Sequence, residues 1–235
     1  MTTGYIISVV DQKYLPYLIS LLYSLRKQSA MEKFYAVLIN FQEKEKIEKK
    51  LKIIYPNIEI KHENVLLTGQ KFIHYCMHRR IYYISQLMHT DLEYLIYFDA
   101  DIIVRKPLSI INELNQVDLI VYKKVYKGKT YFKSGVLFIN HTKVMVEFCD
   151  KWQEIYDSEK EILLGSDQST LKTTIELFEN KILIKQLPDE YFDTGREIRH
   201  KIIPFKDDSI LWVGKGPSKN TPQFISSMEK EPTIL

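Results

Sequence analysis

The sequence predicts an α/β domain, a mainly parallel central sheet flanked by helices. Three observations carry that prediction. Short apolar runs of strand length alternate with longer segments of helical periodicity through the first half of the chain. Several of these runs are apolar at nearly every position, the mark of strands buried on both faces. The third observation is the stretch Leu95-Ile96-Tyr97-Phe98-Asp99-Ala100-Asp101-Ile102-Ile103-Val104, in which two carboxylates one residue apart stand between two apolar runs. Carboxylates are costly to bury unpaired. The strand therefore reads as one that crosses a core and opens at its carboxyl end onto a site, the edge where open α/β sheets bind ligands. A close Asp pair there suits a hard divalent cation, Mg2+ or Mn2+, which in turn holds phosphate oxygens.

The elements follow in order. Tyr5 to Val10 reads as a buried strand, Asp11 ends it, and Leu15 to Leu25 has apolar residues at helical spacing. Tyr35 to Phe41 is a second strand. Glu43 to Lys52 is a charged helix whose Lys and Glu form a solvated face, and Pro56 stops it. Ile58 to Ile60 is a short third strand. Gln70 to Met88 is a long helix without Pro or Gly, and the strand of the Asp pair begins near Tyr94. Leu108 to Leu114 reads as a short helix, Leu119 to Tyr122 as a strand, and Lys123 to Lys133 as a basic, Tyr-rich loop that reads at least as well as a solvated loop as it does as a site for a polar or anionic acceptor. Ser134 to Asn140 is a strand entered through a flexible Ser-Gly pair. Val144 to Ile155 is an amphipathic helix, and Ser166 is placed to cap a helix that opens with Asp167-Gln168. Ile182 to Leu187 and Ile210 to Val213 are the last strands, and from Thr221 the tail is weakly patterned.

Composition narrows the function. The 235 residues suffice for one large domain, and 45% hydrophobic residues support a sizeable core. A net charge of +3 with interleaved Lys and Glu argues against a nucleic-acid partner. Cys76 and Cys149 are far apart, which excludes a disulfide framework and fits a reducing compartment. The start shows no signal-peptide pattern, and no segment approaches about eighteen apolar residues, so the expectation is a cytoplasmic chain with no membrane span. Neither GxGxxG nor GxxxxGK[ST] follows the first strand, so no dinucleotide fingerprint or P-loop is expected. His74, Cys76 and His78 share a helix, but without an H-E-x-x-H pattern they read as structural.

Four features in fixed order resemble a glycosyltransferase of the GT-A (Rossmann-like) fold, most like family 8, the glycogenin and bacterial galactosyltransferase group. They are the opening strand with its polar loop, Phe98-Asp99-Ala100-Asp101, the Ser134-to-Asn140 strand, and Asp167-Gln168; Gly214-Lys215-Gly216 is a looser fifth. The resemblance implies one GT-A domain over 1–220, a nucleotide-binding half of about 1–105, an acceptor half of about 106–220 and a C-terminal tail of 221–235. It implies transfer of a sugar from a nucleotide-diphosphate sugar, a UDP-sugar first, to a hydroxyl of a glycan or glycoconjugate, with retention favoured over inversion.

Site residues follow from the same resemblance. Asp99 and Asp101 are the metal pair for Mn2+ or Mg2+. Val9, Val10, Asp11, Arg80, Asp99, Ala100, Ser134, Gly135, Gly214 and Lys215 surround the donor. Asp167 and Gln168 are the catalytic pair, the Asp at sugar hydroxyls and the Gln near the anomeric carbon. By sequence Arg79 competes with Arg80, and Lys219 with Lys215. Family 8 members usually carry His-x-x-Gly-x-x-Lys at the last element, the His ligating metal; here Leu211 stands in the His position. Two other readings remain: a GT-A domain that binds nucleotide or glycan without turnover, prompted by Leu211, and a haloacid-dehalogenase-type phosphatase, which also places Asp-x-Asp after an apolar strand.

Overall fold

The computed structural model describes residues 4–159, 167–194, 197–198, 201–202, 204–214 and 219–228. Eleven strands and six helices alternate as β1 (Gly4–Asp11), α1 (Leu15–Lys27), β2 (Lys33–Ile39), α2 (Lys44–Ile54), β3 (Ile58–Glu63), α3 (Gly69–Met88), β4 (Tyr94–Phe98), β5 (Ile102–Val104), β6 (Leu119–Tyr126), β7 (Lys129–Asn140), α4 (Lys143–Glu159), α5 (Asp167–Phe178), β8 (Ile184–Gln186), β9 (Glu197–Ile198), β10 (Lys201–Ile202), β11 (Leu211–Val213) and α6 (Pro222–Ser227) among the described residues. The helix expected over Leu108 to Leu114 is a single 3-10 segment, Ser109–Glu113.

Seven strands form the main sheet in the order β3-β2-β1-β4-β7-β6-β8. Neighbours are parallel except where β7 lies antiparallel to both β4 and β6. The sheet is thus mainly parallel with one reversed strand. Strand β4 shows why its sequence is apolar throughout. Ile96 and Phe98 enter one core with α1 and α2 residues, while Leu95 and Tyr97 enter the other with α3 and α4 residues. A central strand between two helical layers has no solvent face to leave polar. Helix α2 is the opposite case: Ile47, Leu51 and Ile54 are buried, and the Lys and Glu between them face solvent.

The reversed strand matters for the site. Because β7 runs against β4, its entry lies beside the exit of β4: Val136 pairs with Phe98, and the Asp99 N–H donates to the Gly135 carbonyl at 2.9 Å. On the other side, the β6–β7 register shifts between Val121 and Tyr122, so Ser134 and Gly135 fall in an irregularity of the ladder. Such a bulge turns side chains out of the pleat.

Two stretches differ from expectation. Lys123 to Lys133 is not a loop. β6 and β7 continue to Tyr126 and from Lys129, closed by Lys127 and Gly128 with φ of 49° and 72°. Two left-handed residues make the tight hairpin turn whose twist suits paired strands, and Gly128 takes that conformation without strain. The tail from Thr221 is patterned after all. Thr221 caps α6 by accepting from the Phe224 N–H at 3.2 Å, and Phe224 is buried with Ile103, Phe205 and Trp212 in a small separate core. Strand β5, the second apolar run, pairs with β11 and carries this unit onto the sheet's carboxyl edge. Ser166, the proposed cap of α5, lies outside the described residues. No described helix is long and apolar enough to cross a membrane, and both cysteines are free thiols.

Candidate active site

The parallel neighbours β1 and β4 open at their carboxyl ends onto a cavity of about 390 Å³, a size suited to a small-molecule ligand. Val9, Val10 and Asp11 from β1, and Asp99, Ala100 and Asp101 after β4, form its floor. Helix α3 supplies Phe72, Ile73, Cys76, Met77 and Arg80 as one wall, and Tyr14 and Lys219 supply another. Seven of the sequence-predicted residues therefore meet at one wall or floor.

Arg80 organises the charge. Neighbours on a helix point about 100° apart, so only one of Arg79 and Arg80 can face the cavity. Arg79 turns to Glu63 and lies over the rings of Tyr82 and Tyr83 at 4.1 and 5.0 Å. Arg80 turns inward. Its guanidinium meets Asp99 at 2.8 Å, pairs with Asp167, and donates to Ser134 Oγ at 3.3 Å. Ser134 in turn donates to Asp167 at 2.6 Å. The ring of Tyr97 stacks 4.8 Å beneath Arg80, and its hydroxyl donates to Asp99 Oδ1 at 3.0 Å. Burial alone would lower the Arg80 guanidinium, but Asp99, Tyr97 and Asp167 around it hold it well above its ordinary value. Its charge is permanent.

Lys219 is the second cation. Its ammonium donates to the Tyr14 hydroxyl at 3.1 Å and stands 3.9 Å from Asp101. Burial works against its charge, and Tyr14 and Asp101 outweigh burial and raise the group. Gly214 makes this approach possible. Its N–H donates to the Asp101 carbonyl at 2.7 Å, and a Cβ there would come within 3.0 Å of that oxygen and 2.9 Å of Lys219 Cβ and Phe224 Cζ. Lys215 lies outside the described residues, so Lys219 is the lysine seen at the cavity. Cys76 also lines it, and burial pushes its thiol up to about 12, which keeps it protonated and unreactive at neutral pH.

The remaining predicted residues sit elsewhere. Ser134 and Asp167 stand behind Arg80 rather than on the cavity wall. Gly135 and Gly214 act through backbone atoms. Gln168 faces a neighbouring groove of about 900 Å³ against the β6–β7 hairpin, where its Oε1 accepts from Lys133 at 3.2 Å. Asp11 lines the cavity and also caps the 3-10 turn after β1 by accepting from the Tyr14 N–H at 3.2 Å. Leu211 is fully buried in β11 and pairs with Val104. His74 contacts Gln70 at 2.9 Å, and His78 meets Asp157 at 3.1 Å. Tyr97, Tyr14, Lys133 and Lys219 are the residues sequence reasoning passed over or ranked second. A phenol in the middle of a strand apolar on both faces was the signal for Tyr97, since a buried hydroxyl needs a partner.

The donor set bears on a metal. Among the described residues no three His, Cys, Asp or Glu side chains gather into a complete ligand cage. Mg2+ and Mn2+ do not need one: Mg2+ binds through one or two carboxylates and completes its shell with water and substrate phosphate. Asp99 and Asp101 are such a pair, and the cavity carries three carboxylates against two cations. The residues fit a divalent cation that arrives with a phosphorylated ligand.

The same architecture occurs in solved glycosyltransferases. The galactosyltransferase LgtC, in complex with donor and acceptor sugar analogues, aligns with a TM-score of 0.63 at 15% identity over 97% of this chain and 98% of its own. GlyE of Streptococcus pneumoniae TIGR4 aligns at 0.56 and 21% identity over 82% of this chain. This chain has the GT-A glycosyltransferase fold. An active-site Gln-to-Glu mutant of LgtC aligns at 0.59 with 14% identity. The chain spans 47% of the length of GlyE, so the GT-A unit here corresponds to about half of that protein. No protein-family model and no curated protein sequence matches the chain.

Proposed function

We propose that this GT-A chain transfers a sugar from a nucleotide-diphosphate sugar, a UDP-sugar first, to a hydroxyl of a glycan or glycoconjugate. The observation that carries the reading is the convergence of Asp99, Asp101, Arg80 and Lys219 on one cavity at the carboxyl edge of a mainly parallel sheet. Two carboxylates beside two permanent cations suit a diphosphate bridged by a divalent cation. Val9, Phe72, Ile73 and Met77 offer an apolar surface for a base and ribose, with Asp11 as an acceptor for their donors.

Asp99 and Asp101 would hold Mn2+ or Mg2+, which when bound supplies Lewis-acid neutralisation of the leaving diphosphate. The chain's own residues do the rest. Lys219 stands where it can take up charge on the departing phosphate, and its raised basicity keeps it cationic through the reaction. Arg80, fixed by Asp99, Asp167 and Tyr97, is a preorganised cation that needs no reorientation as charge develops. Asp167, from behind, fixes the direction of the Arg80 guanidinium. Retention of configuration is the favoured outcome. The family resemblance is what favours it; inversion needs a carboxylate base close to the attacking hydroxyl, and of the candidates Asp167 is engaged by Arg80 and Ser134, Asp193 accepts from the Lys206 N–H at 2.6 Å and Ser209 at 2.7 Å, and Asp189 is exposed in the turn after β8. Gln168, a neutral side chain next to Asp167, matches an assisting role at the anomeric carbon.

Calorimetric titration with UDP, with and without Mn2+, and with GDP as comparator tests the reading. UDP binding only with Mn2+, abolished in Asp101→Ala, is the expected result. No UDP binding under either condition refutes the UDP-sugar assignment.

A further inference from the structure

The β6–β7 hairpin carries an arrangement that the donor cavity does not use. Residues directly opposite on an antiparallel pair share a face, as do alternate residues along a strand. The register places Tyr122 opposite Lys133, Lys124 opposite Tyr131, and Tyr126 opposite Lys129. One face of the hairpin is therefore a ladder of three Tyr–Lys pairs, the aromatic member changing strands at each rung; the innermost ring, Tyr122, is buried and stacked on Phe192 at 4.4 Å, so the two outer pairs are the open rungs. Tyr126 and Tyr131 are 56% and 42% exposed. Lys124 and Lys129 are exposed as well, and no described carboxylate pairs with either. The hairpin supplies no carboxylate of its own, since no Asp or Glu occurs between Asp118 and Glu147, and Glu176, which lines the same groove as Lys129, pairs with Lys172. At its inner end the ladder reaches the candidate catalytic pair, because Lys133 donates to Gln168.

We propose that this Tyr–Lys ladder receives the acceptor, and that the acceptor is an acidic saccharide. The inference rests on the glycosyl-transfer reading and names its acceptor class. Tyrosine rings offer flat apolar faces with polar rims, the surface on which sugar rings stack with their C–H groups inward. Ammonium groups between those rings suit carboxylates or phosphates carried by the sugars. A neutral glycan would give Lys124 and Lys129 no anionic partner. Nucleic acid fits less well, because the whole chain carries a net charge of only +3.

The test uses the full chain with trigalacturonate (carboxylate), a phosphorylated mannotriose (phosphate) and neutral maltotriose, and with hexathymidylate and phosphatidylglycerol vesicles as comparators. UDP binding with Mn2+ is followed in the same samples. One acidic trisaccharide is expected to bind at least about tenfold tighter than maltotriose, and which one it is identifies the anionic group. Lys124→Gln with Lys129→Gln should weaken that binding roughly tenfold or more, the scale of lost charged hydrogen bonds. Tyr131→Ala, which keeps every charge, should weaken it too. UDP binding and the unfolding midpoint should stay as in the parent chain. Equal binding of maltotriose, unchanged affinity in both variants, or no saccharide binding at all overturns the proposal. Tighter binding of hexathymidylate or of vesicles overturns the saccharide assignment. Trisaccharide binding without any UDP binding overturns the transfer reading instead and leaves the ladder as an acidic-saccharide surface.

Discussion

Arg80 pairs with Asp167, a residue 87 positions further along the chain, and both are largely buried. The pair joins α3 to the first turn of α5 across the sheet's carboxyl edge. Through Asp99 and Ser134 it also ties in β4 and β7. Four of the elements that carry predicted donor and catalytic residues thus meet at one guanidinium.

Removing that guanidinium leaves two buried carboxylates without their cation. Arg80→Ala should therefore cost about 3–5 kcal/mol of stability. Arg80→Lys should recover only part of this, because one ammonium cannot match a planar fork that spans three partners. Chemical denaturation of the three chains checks both statements.

Asp101 contributes its carboxylate to the cavity, while its backbone carbonyl accepts from Gly214. Asp101→Asn keeps the size and the backbone contact and removes the charge. Mn2+-dependent UDP binding should fall by roughly a hundredfold or more, since even losing a group that supports a metal ligand costs about 10–100-fold. Calorimetry reads the affinity, and an unchanged unfolding midpoint separates the effect from misfolding.

Gly214→Ala probes the clamp between the tail unit and the Asp pair. Its Cβ would press on the Asp101 carbonyl and on Phe224. The expected loss is about 1–3 kcal/mol, the range for overpacking. UDP affinity should drop as well, because relieving the clash moves Lys219 or Asp101.

Acid should weaken the chain through Glu63. Burial raises this carboxyl, but Arg79 and the hydroxyls of Tyr83 and Tyr75 outweigh burial and hold it below its ordinary value. A group lowered on folding lends stability above its unfolded value, about 4.3, and loses it as pH falls through the folded value. The stability gap between the parent chain and Glu63→Gln, followed by denaturation from pH 7 downward, should therefore shrink below about pH 4–5.

Much of this architecture was legible in the sequence by itself. Strand β4 has no polar position to offer solvent, so its central place and the Asp pair at its exit followed from local pattern alone. Helix α2 was equally plain, since three buried positions at helical spacing are enough to orient it. The hairpin was harder. Between Lys123 and Lys133 only Phe132 is buried, too little to mark a strand, and Lys127-Gly128 is a weaker turn signal than Asn-Gly, so it read as a loop. The tail was missed because one buried phenylalanine in a six-residue helix makes no periodicity.

Tertiary structure alone decided the rest. Arg79 and Arg80 are indistinguishable in sequence, and only the rotation of α3 against the sheet sends one to Glu63 and the other to Asp99. Lys219 reaches the cavity because β11 pairs with β5 and carries the chain back across the edge. Ser134 and Asp167 meet because β7 is reversed beside β4. Local pattern records what each residue can bury; which distant groups then share a dielectric is set by strand order and helix rotation, and those are settled by packing the whole core at once.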